Sequence, residues 1–436
     1  MNLAGKHIAI LGAGRSGRAA AALALREGAR VSVWDSAGLE SFVGMPQGAK
    51  SHPQATAAQG AELESDLLVI SPGIDTYGSF VAAFSQHTTE VIGEVELAAR
   101  YYRGRIVAIT GTNGKTTTTE LVARMLAYAA LGGTACGNYG VPFAEVVMLA
   151  NPPATVSLEL SSFQLETIRT LHPTVAVWLN FAPDHMDRYP TVEAYRDAKL
   201  RIFMNQTTSD YAIVRQGEEV IQQAATQVSF STTDESADWF SDGRTIQHDG
   251  ESWLDLEKET HLRGLHNAEN TMAAMAACKS LGISNLTMRR ALQGFSPPPH
   301  RCELIRTLDG VEYLNDSKAT NLHALESALR SQNRPVVLIV GGKDKGLDYA
   351  SVVPLLISKT LAVVTFGQIA RPLAALFSKA VQCQTVLTLA DAVATARSLA
   401  PRGSTVLLSP GTSSFDQFNG YEQRGNAFRD LVHQLR

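Results

Sequence analysis

Long apolar runs, paired cysteines and an excess of charge of one sign are all missing from this chain of 436 residues. No stretch approaches the ~18–20 consecutive apolar residues that a membrane-crossing helix needs, so no membrane partner is expected. The four cysteines, Cys136, Cys278, Cys302 and Cys383, stand far apart and form no CxxC pair. That leaves no basis for a disulfide framework or a structural zinc, and fits a reducing compartment. Lys and Arg number 38 against 42 Asp and Glu, a formal charge of −4. Such a balance gives no broad basic surface, which excludes nucleic acid as the expected partner. Any anionic ligand has to be held locally, by placed loops and a few cations. The first residues carry no signal-peptide layout, so a cytoplasmic protein is expected. With 45% hydrophobic and 18% charged residues the chain reads as globular, and its length suggests two to four domains.

Apolar strands alternate with amphipathic helical patterns along nearly the whole chain. That alternation predicts an α/β fold with largely parallel sheets. Three strand–glycine-loop–helix starts stand out, each able to open its own sheet. The first is His7-Ile-Ala-Ile-Leu11, leading into Gly12-Ala-Gly14-Arg-Ser-Gly17, a helix from about Arg18 to Glu27, and a strand from Arg30 to Trp34. The second is Ile106-Val-Ala-Ile-Thr110, followed by Gly111-Thr-Asn113-Gly114-Lys115-Thr116 and a helix from about Glu120 to Tyr128. The third is Pro335-Val-Val-Leu-Ile-Val340 before Gly341-Gly-Lys-Asp-Lys-Gly346. A boundary is expected near residue 95. Gly294-Phe-Ser-Pro-Pro-Pro299 reads as a stiff connector, because proline suits neither helix nor sheet interior. The polar segment Asp234 to Thr260 reads as a small antiparallel addition, two short strands around a turn at Asp249-Gly250.

The strongest local signal is the loop from Gly111 to Thr116. Glycines let backbone N–H groups approach phosphate oxygens, and the N-terminus of the following helix favours negative charge. Lys115 can reach the β- and γ-phosphates, and Thr116 can offer its hydroxyl to Mg²⁺. The alternative, a helix-capping loop with a surface lysine, leaves the conjunction of strand, glycines, lysine and threonine unexplained. Gly12-x-Gly14-x-x-Gly17 with Asp35 at the end of the next strand fits a dinucleotide site, another nucleotide diphosphate, or a tight turn with no ligand. Glu159 ends the strand Thr155-Val-Ser-Leu-Glu159, where a carboxylate suits a hard cation. His185 falls just past the strand Thr174 to Leu179, at the edge where α/β sheets place ligands. The basic residues of the helix Tyr195 to Phe203, Lys199 among them, read from composition as a solvated face. Asn315 to Asn321 is polar without an apolar period, which suggests a binding loop.

Taken in order, these strings resemble the Mur ligase family, over essentially the whole chain. The discriminating pieces are Gly111-Thr-Asn-Gly-Lys-Thr116, Glu159-Leu-Ser-Ser-Phe-Gln-Leu-Glu166, Asp184-His-Met-Asp-Arg-Tyr189, Ala198-Lys-Leu-Arg-Ile202, Pro299-His-Arg301, Asn315-Asp-Ser-Lys-Ala-Thr-Asn321 and Glu422-Gln-Arg-Gly425. Several of these point to the glutamate-adding branch. The resemblance implies three domains: a Rossmann-like UDP-precursor domain (1–95), a central P-loop-type ATP domain (96–298), and a Rossmann-like C-terminal domain for glutamate (299–436). It implies that Arg15, Ser16, Asp35, Ser36, Ser71, Gly73 and Asn138 hold a UDP-N-acetylmuramoyl-L-alanine acceptor. Gly111, Asn113, Gly114, Lys115, Thr116, Thr117, Asn270, Arg301 and Asp316 would hold ATP. Lys318, Thr320, Lys345, Ser414 and Phe415 would grip D-glutamate.

The same resemblance nominates Lys115, Glu159, His185 and Lys199 as the catalytic set. Thr116, Glu159, His185 and Lys199 would build a site for two Mg²⁺ ions, with Lys199 carrying a CO₂ adduct. The implied reaction is ATP-dependent ligation through an acyl phosphate, in peptidoglycan precursor synthesis, by a cytoplasmic monomer. Folylpolyglutamate synthases share the glycine–lysine loop. A dehydrogenase would account for the first fingerprint and leave the second without a role.

Overall fold

The computed structural model describes residues 1–186, 188–218, 220, 224–296 and 299–436. Pro297 and Pro298 of the expected connector, and Asp187 of the Asp184–Tyr189 string, lie outside them. The chain forms two compact units, residues 1–260 with 267–294, and residues 261–266 with 295–436.

The first unit contains two large sheets. One has five parallel strands in the order Lys50–His52, Arg30–Trp34, His7–Leu11, Leu67–Ile70, Val91–Gly93. Its central strands are apolar without alternation, as expected of parallel strands covered on both faces. The helix Arg15–Arg26 buries Ala19, Ala20, Ala21, Leu23 and Ala24. It begins directly at the glycine loop, and its approach is close. A Cβ on Gly17 would lie 1.8 Å from the carbonyl oxygen of Gly12. We therefore expect Gly17→Ala to lift this helix and cost about 1–3 kcal/mol, the range for forced overpacking, read as a lower urea midpoint of the first unit.

The second sheet has nine strands, in the order Glu251–Asp255, Thr245–His248, Trp239–Ser241, Thr226–Ser231, Tyr211–Arg215, Val175–Trp178, Arg105–Thr110, Thr155–Glu159, Gly132–Gly137. From Trp239–Ser241 to Gly132–Gly137 the pairing is parallel, and the last two strands at the other edge are antiparallel. The edge hairpin turns at Asp249 and Gly250, both with positive φ (53° and 75°). That is the primed turn an Asp-Gly pair favours, because it matches the strand twist. One apolar cluster runs through both sheets of this unit, from Ile8, Ile10 and Leu23 to Ala108, Leu158 and Trp178. The helix Glu94–Tyr101 contributes Val95, Leu97 and Ala98 to it. Buried Glu96 anchors this helix, accepting the backbone N–H groups of Arg169, Thr170 and Leu171 at 2.9–3.0 Å.

The second unit holds a six-stranded sheet in the order Glu303–Leu308, Val311–Asn315, Thr405–Leu408, Val336–Gly341, Thr360–Phe366, Cys383–Thr385. Its first pair is antiparallel and the rest parallel. Among the described residues no helix is long and apolar enough to cross a membrane.

Candidate active site

In the first unit the loop after Arg105–Thr110 turns on two glycines. Gly114 has φ of 86° and caps the helix Lys115–Tyr128. A Cβ there would meet the Asn270 side-chain oxygen at 2.1 Å, so glycine is required both by the left-handed backbone and by this buried asparagine. Asn180 clamps the loop from the neighbouring strand: its Oδ1 accepts the Asn113 N–H at 2.9 Å, and its Nδ2 donates to the Asn113 carbonyl at 3.1 Å. Lys115 folds back on its own loop, donating to the carbonyls of Gly111 and Thr112 at 2.8 and 2.9 Å. Thr116 and Thr117 are buried in the first turn of the helix.

Three of the expected catalytic side chains converge here. Lys199 is 1% exposed, and its Nζ donates to the Gly111 carbonyl at 2.9 Å, the oxygen that Lys115 also uses. The ring of Tyr195 lies 4.8 Å beneath it. Burial, and next the Lys115 charge, hold the Lys199 amine well below the ordinary lysine range, with Asp184 and Glu159 opposing. Reading this helix's cations as a solvated face therefore fails at Lys199, which tertiary packing seals. Glu159 is buried at the end of its strand. Its Oε1 accepts from Asn138 Nδ2 at 2.7 Å, while its Oε2 is buried with no hydrogen-bond partner. His185 stands in the left-handed region (φ 57°), with its ring edge-on to Phe163 and Tyr195 and its side chain 41% exposed.

An unpartnered buried carboxylate oxygen fits a cation. Even so, among the described residues no three His, Cys, Asp or Glu side chains gather into a metal cage.

The first sheet brings its own loops to this unit. Gly12 has φ of 99°, and a Cβ on it would strike the Ser71 hydroxyl at 2.6 Å. That hydroxyl oxygen is buried and unpartnered. Arg15 donates to the Gly140 carbonyl at 2.9 Å, which ties the first glycine loop to the turn that carries Asn138. Asp35 spends both oxygens on backbone, accepting from Ala13 N at 2.7 Å and Ala37 N at 2.9 Å, so it shapes the loop from beneath. Ser16 is half-buried, while Ser36 and Gly73 are exposed.

The second unit collects a separate group. Asp316 is buried, accepting from Ser409 Oγ at 2.8 Å and Cys302 N at 3.1 Å. Burial pushes its carboxyl up to about 7, against which the Ser409 and Cys302 hydrogen bonds and the Arg301 charge act. Between its ordinary range near 3.8 and about 7, the folded unit binds a proton that the unfolded chain has released. Stability should therefore fall as pH rises through that window. Urea midpoints measured from pH 4.5 to 7.5 should show the decline in the native chain, and a flatter profile in Asp316→Asn.

Lys345 reaches the Thr320 carbonyl at 3.4 Å, and the Lys318 ammonium sits 3.6 Å from the centroid of the Tyr421 ring. Ser414 is buried with its hydroxyl unpartnered, and Phe415 is 64% exposed. Beneath them Arg424 is fully buried, donating to the Ser317 hydroxyl and carbonyl at 3.0 and 2.8 Å and to the Thr412 carbonyl at 3.2 Å.

Asn180, Arg188 and Arg424 organise these loops, and the sequence reading gave none of them a role. Arg188 and Arg424 lie inside the strings Asp184–Tyr189 and Glu422–Gly425, and Asn180 lies just past the strand that ends at Leu179. Only their long-range partners reveal what they do.

Comparison with known proteins agrees with these motifs. The family model described as the Mur ligase middle domain matches residues 109–278, and that of the Mur ligase glutamate ligase domain matches 300–411. A UDP-N-acetylmuramoylalanine–D-glutamate ligase of Geobacter metallireducens is 38% identical, covering 100% of this chain and 99% of its own. The protein of the same name from Myxococcus xanthus is 40% identical and covered to 99% on both sides. A pseudomurein peptide ligase type C from Methanothermus fervidus shares the fold, with a TM-score of 0.62 at 16% identity over 99% of this chain and 100% of that one. With relatives of this similarity along its whole length, the chain belongs to the Mur ligase family.

Proposed function

We propose that this protein joins D-glutamate to UDP-N-acetylmuramoyl-L-alanine at the expense of ATP, a step of peptidoglycan precursor synthesis. The relatives similar over the full length carry that substrate pair in their names. The observation that carries the chemistry is the meeting of the phosphate loop, the unpartnered Glu159 oxygen and the buried Lys199 amine. In this reading residues 1–95 hold the acceptor, residues 96–298 hold ATP, and residues 299–436 hold glutamate, in a cytoplasmic monomer.

The acceptor carboxylate attacks the γ-phosphate, ADP leaves, and an acyl phosphate forms. The glutamate amine then attacks that carbonyl, loses its proton, and phosphate departs through a tetrahedral intermediate. Phosphoryl transfer asks mainly for positioning and for neutralised charge. The loop amides from Gly111 to Thr117 and the Lys115 ammonium supply both for the phosphates. Asn270, packed against Gly114, fixes the loop from the side. Ser71 and Gly73, with Arg15, Ser16, Asp35, Ser36 and Asn138, orient the acceptor. Lys318, Lys345, Thr320, Ser414 and Phe415 receive the amino acid, and Arg301 and Asp316 serve the nucleotide.

Glu159, His185, Thr116 and Lys199 as its carbamate would hold two Mg²⁺ ions, which neutralise charge on the transferring group. A neutral Lys199 amine can add to CO₂ and release a proton. The resulting carbamate would supply an anionic oxygen donor beside Glu159.

The test is phosphate release with ATP, Mg²⁺ and UDP-N-acetylmuramoyl-L-alanine, adding D-glutamate, L-glutamate or neither. Release that requires D-glutamate, with a product heavier by one glutamyl residue, is expected. Release only with L-glutamate would overturn the choice of isomer. Silence with both would overturn the acceptor.

A further inference from the structure

Arg188 follows His185 by three residues and is used by nothing in the mechanism above. Its guanidinium reaches across the first unit to the other sheet. Nη1 donates to the Pro72 carbonyl at 3.0 Å, and Nη2 to the Ile74 carbonyl at 3.0 Å and the Thr76 hydroxyl at 3.2 Å. Nη2 also meets the buried Glu166 carboxylate at 3.1 Å. The plane lies 3.9 Å over the ring of Phe163, and that ring packs edge-on against His185. Next in the chain, Tyr189 donates to the other Glu166 oxygen at 2.5 Å.

This side chain therefore grips two segments at once. One is the loop after the strand Leu67–Ile70, which begins with Ser71, Pro72 and Gly73. The other is the loop that presents His185. A carbonyl pair, a hydroxyl and a carboxylate are satisfied by a single planar fork. Only arginine spans such a set, because lysine is a point donor.

We propose that Arg188 is a positioning residue that couples acceptor binding at Ser71–Gly73 to the placement of His185 at the phosphoryl-transfer site. An acceptor diphosphate seated on the Ser71–Gly73 loop fixes the Pro72 and Ile74 carbonyls. These hold the guanidinium, and the guanidinium holds Phe163 and the His185 loop. Such a link makes acceptor and nucleotide binding cooperative, and cooperativity of this kind is reciprocal. The inference rests on the proposed acceptor site.

The experiment uses the whole chain and its Arg188→Lys variant. Affinity for a non-hydrolysable ATP analogue with Mg²⁺ is titrated with and without UDP-N-acetylmuramoyl-L-alanine, alongside steady-state kinetics and the thermal midpoint. In the native chain the acceptor should tighten the analogue by roughly five- to 150-fold, the usual range of coupling between sites. In the variant, which keeps the charge and a near-native midpoint, that factor should fall toward one. The KM for acceptor should rise about tenfold or more, and the KM for glutamate should stay near native. A variant with native coupling and native acceptor KM overturns the role, as does a native chain whose two ligands bind independently. A variant that melts early while its coupling persists shows a structural role only, and overturns the proposal too. If the native chain makes no product with this acceptor, the functional reading fails instead, and the kinetics distinguish that from failure of the coupling.

Discussion

Lys199→Ala should abolish ligation while leaving the protein folded, and a short-chain carboxylate such as acetate or formate should restore part of the activity. The side chain it removes is buried among the Gly111 carbonyl, the Tyr195 ring and the Lys115 ammonium. Its desolvated amine opposes folding on its own account, so stability should change little and circular dichroism should stay native. Activity should drop by on the order of 10²–10³-fold or more, the range for losing one electrostatic stabiliser of a charged transition state.

The reason lies in the signs of the charges. As an ammonium, Lys199 would sit beside Lys115 and repel any cation that approached the free Glu159 oxygen. Burial disfavours that charge and so favours the neutral amine, the form that adds to CO₂. In the proposed reading the adduct would invert the local field: Lys115 would gain an anionic neighbour, and Glu159 a second oxygen with which to share a cation. An added carboxylate would enter the space left by the alanine variant and stand in for the adduct. An alanine variant with native turnover, with or without acetate, would rule the adduct out.

Arg424→Met should strongly destabilise the second unit. The buried guanidinium satisfies the Ser317 and Thr412 carbonyls and the Ser317 hydroxyl together. Methionine keeps much of the volume and leaves two buried acceptors without donors. At about 1–3 kcal/mol for each unmet buried group, the loss should come to roughly 2–6 kcal/mol. For a unit of this size, that lowers the unfolding midpoint by on the order of 10 °C. The proposed glutamate grips flank these anchors: Lys318 follows Ser317, and Ser414 lies two residues after Thr412. Below its new midpoint the variant should therefore also show a raised KM for glutamate. Calorimetry of the second transition, with glutamate titrations at 20 °C, checks both. A native midpoint would show that water or a neighbour replaces the guanidinium.

What the sequence revealed, and what it hid, follows from the range of the interactions involved. The first two glycine-loop starts each open a large sheet, because strand apolarity and loop glycines are local properties, whereas the third, Val336–Gly341, joins a sheet already begun by Glu303–Leu308 and Val311–Asn315. The first two helices begin earlier than their apolar pattern indicated, at Arg15 and Lys115 rather than near Arg18 and Glu120. Gly14 and Gly114 cap them, so neither has the Ser, Thr or Asp signal that marks a start. The Asp249-Gly250 hairpin was readable for the opposite reason, since turn chemistry is written in the pair itself. The burial of Lys199 was not readable from its helix, whose other cations, Arg196 and Arg201, are only partly buried. It depends on a carbonyl 88 positions away in the chain. Arg188 and Arg424 were obscured in the same manner, by partners 112–116 and 107 residues distant. Local composition carries no trace of a contact made at that separation.

The apolar cluster shared by the first two sheets has a consequence for exchanging parts between relatives. A cut near residue 95 passes between Glu94 and Glu96, through the helix that contributes Val95, Leu97 and Ala98 to the common core. A chimera joined there would pair one parent's Leu97 and Ala98 with the other parent's first sheet, and would separate Glu94 from the Ala144 N–H group that it accepts at 2.6 Å. A cut on the far side of Tyr101 spares the helix, but it parts Glu94 from Ala144 and Glu96 from the segment Arg169–Leu171. Even there, a transplanted first sheet would have to bring along the partner surface around Phe143 and Val146. If the first sheet holds the acceptor as proposed, its specificity is inherited with its neighbour, and recombination that moves it intact must move more than one nominal module.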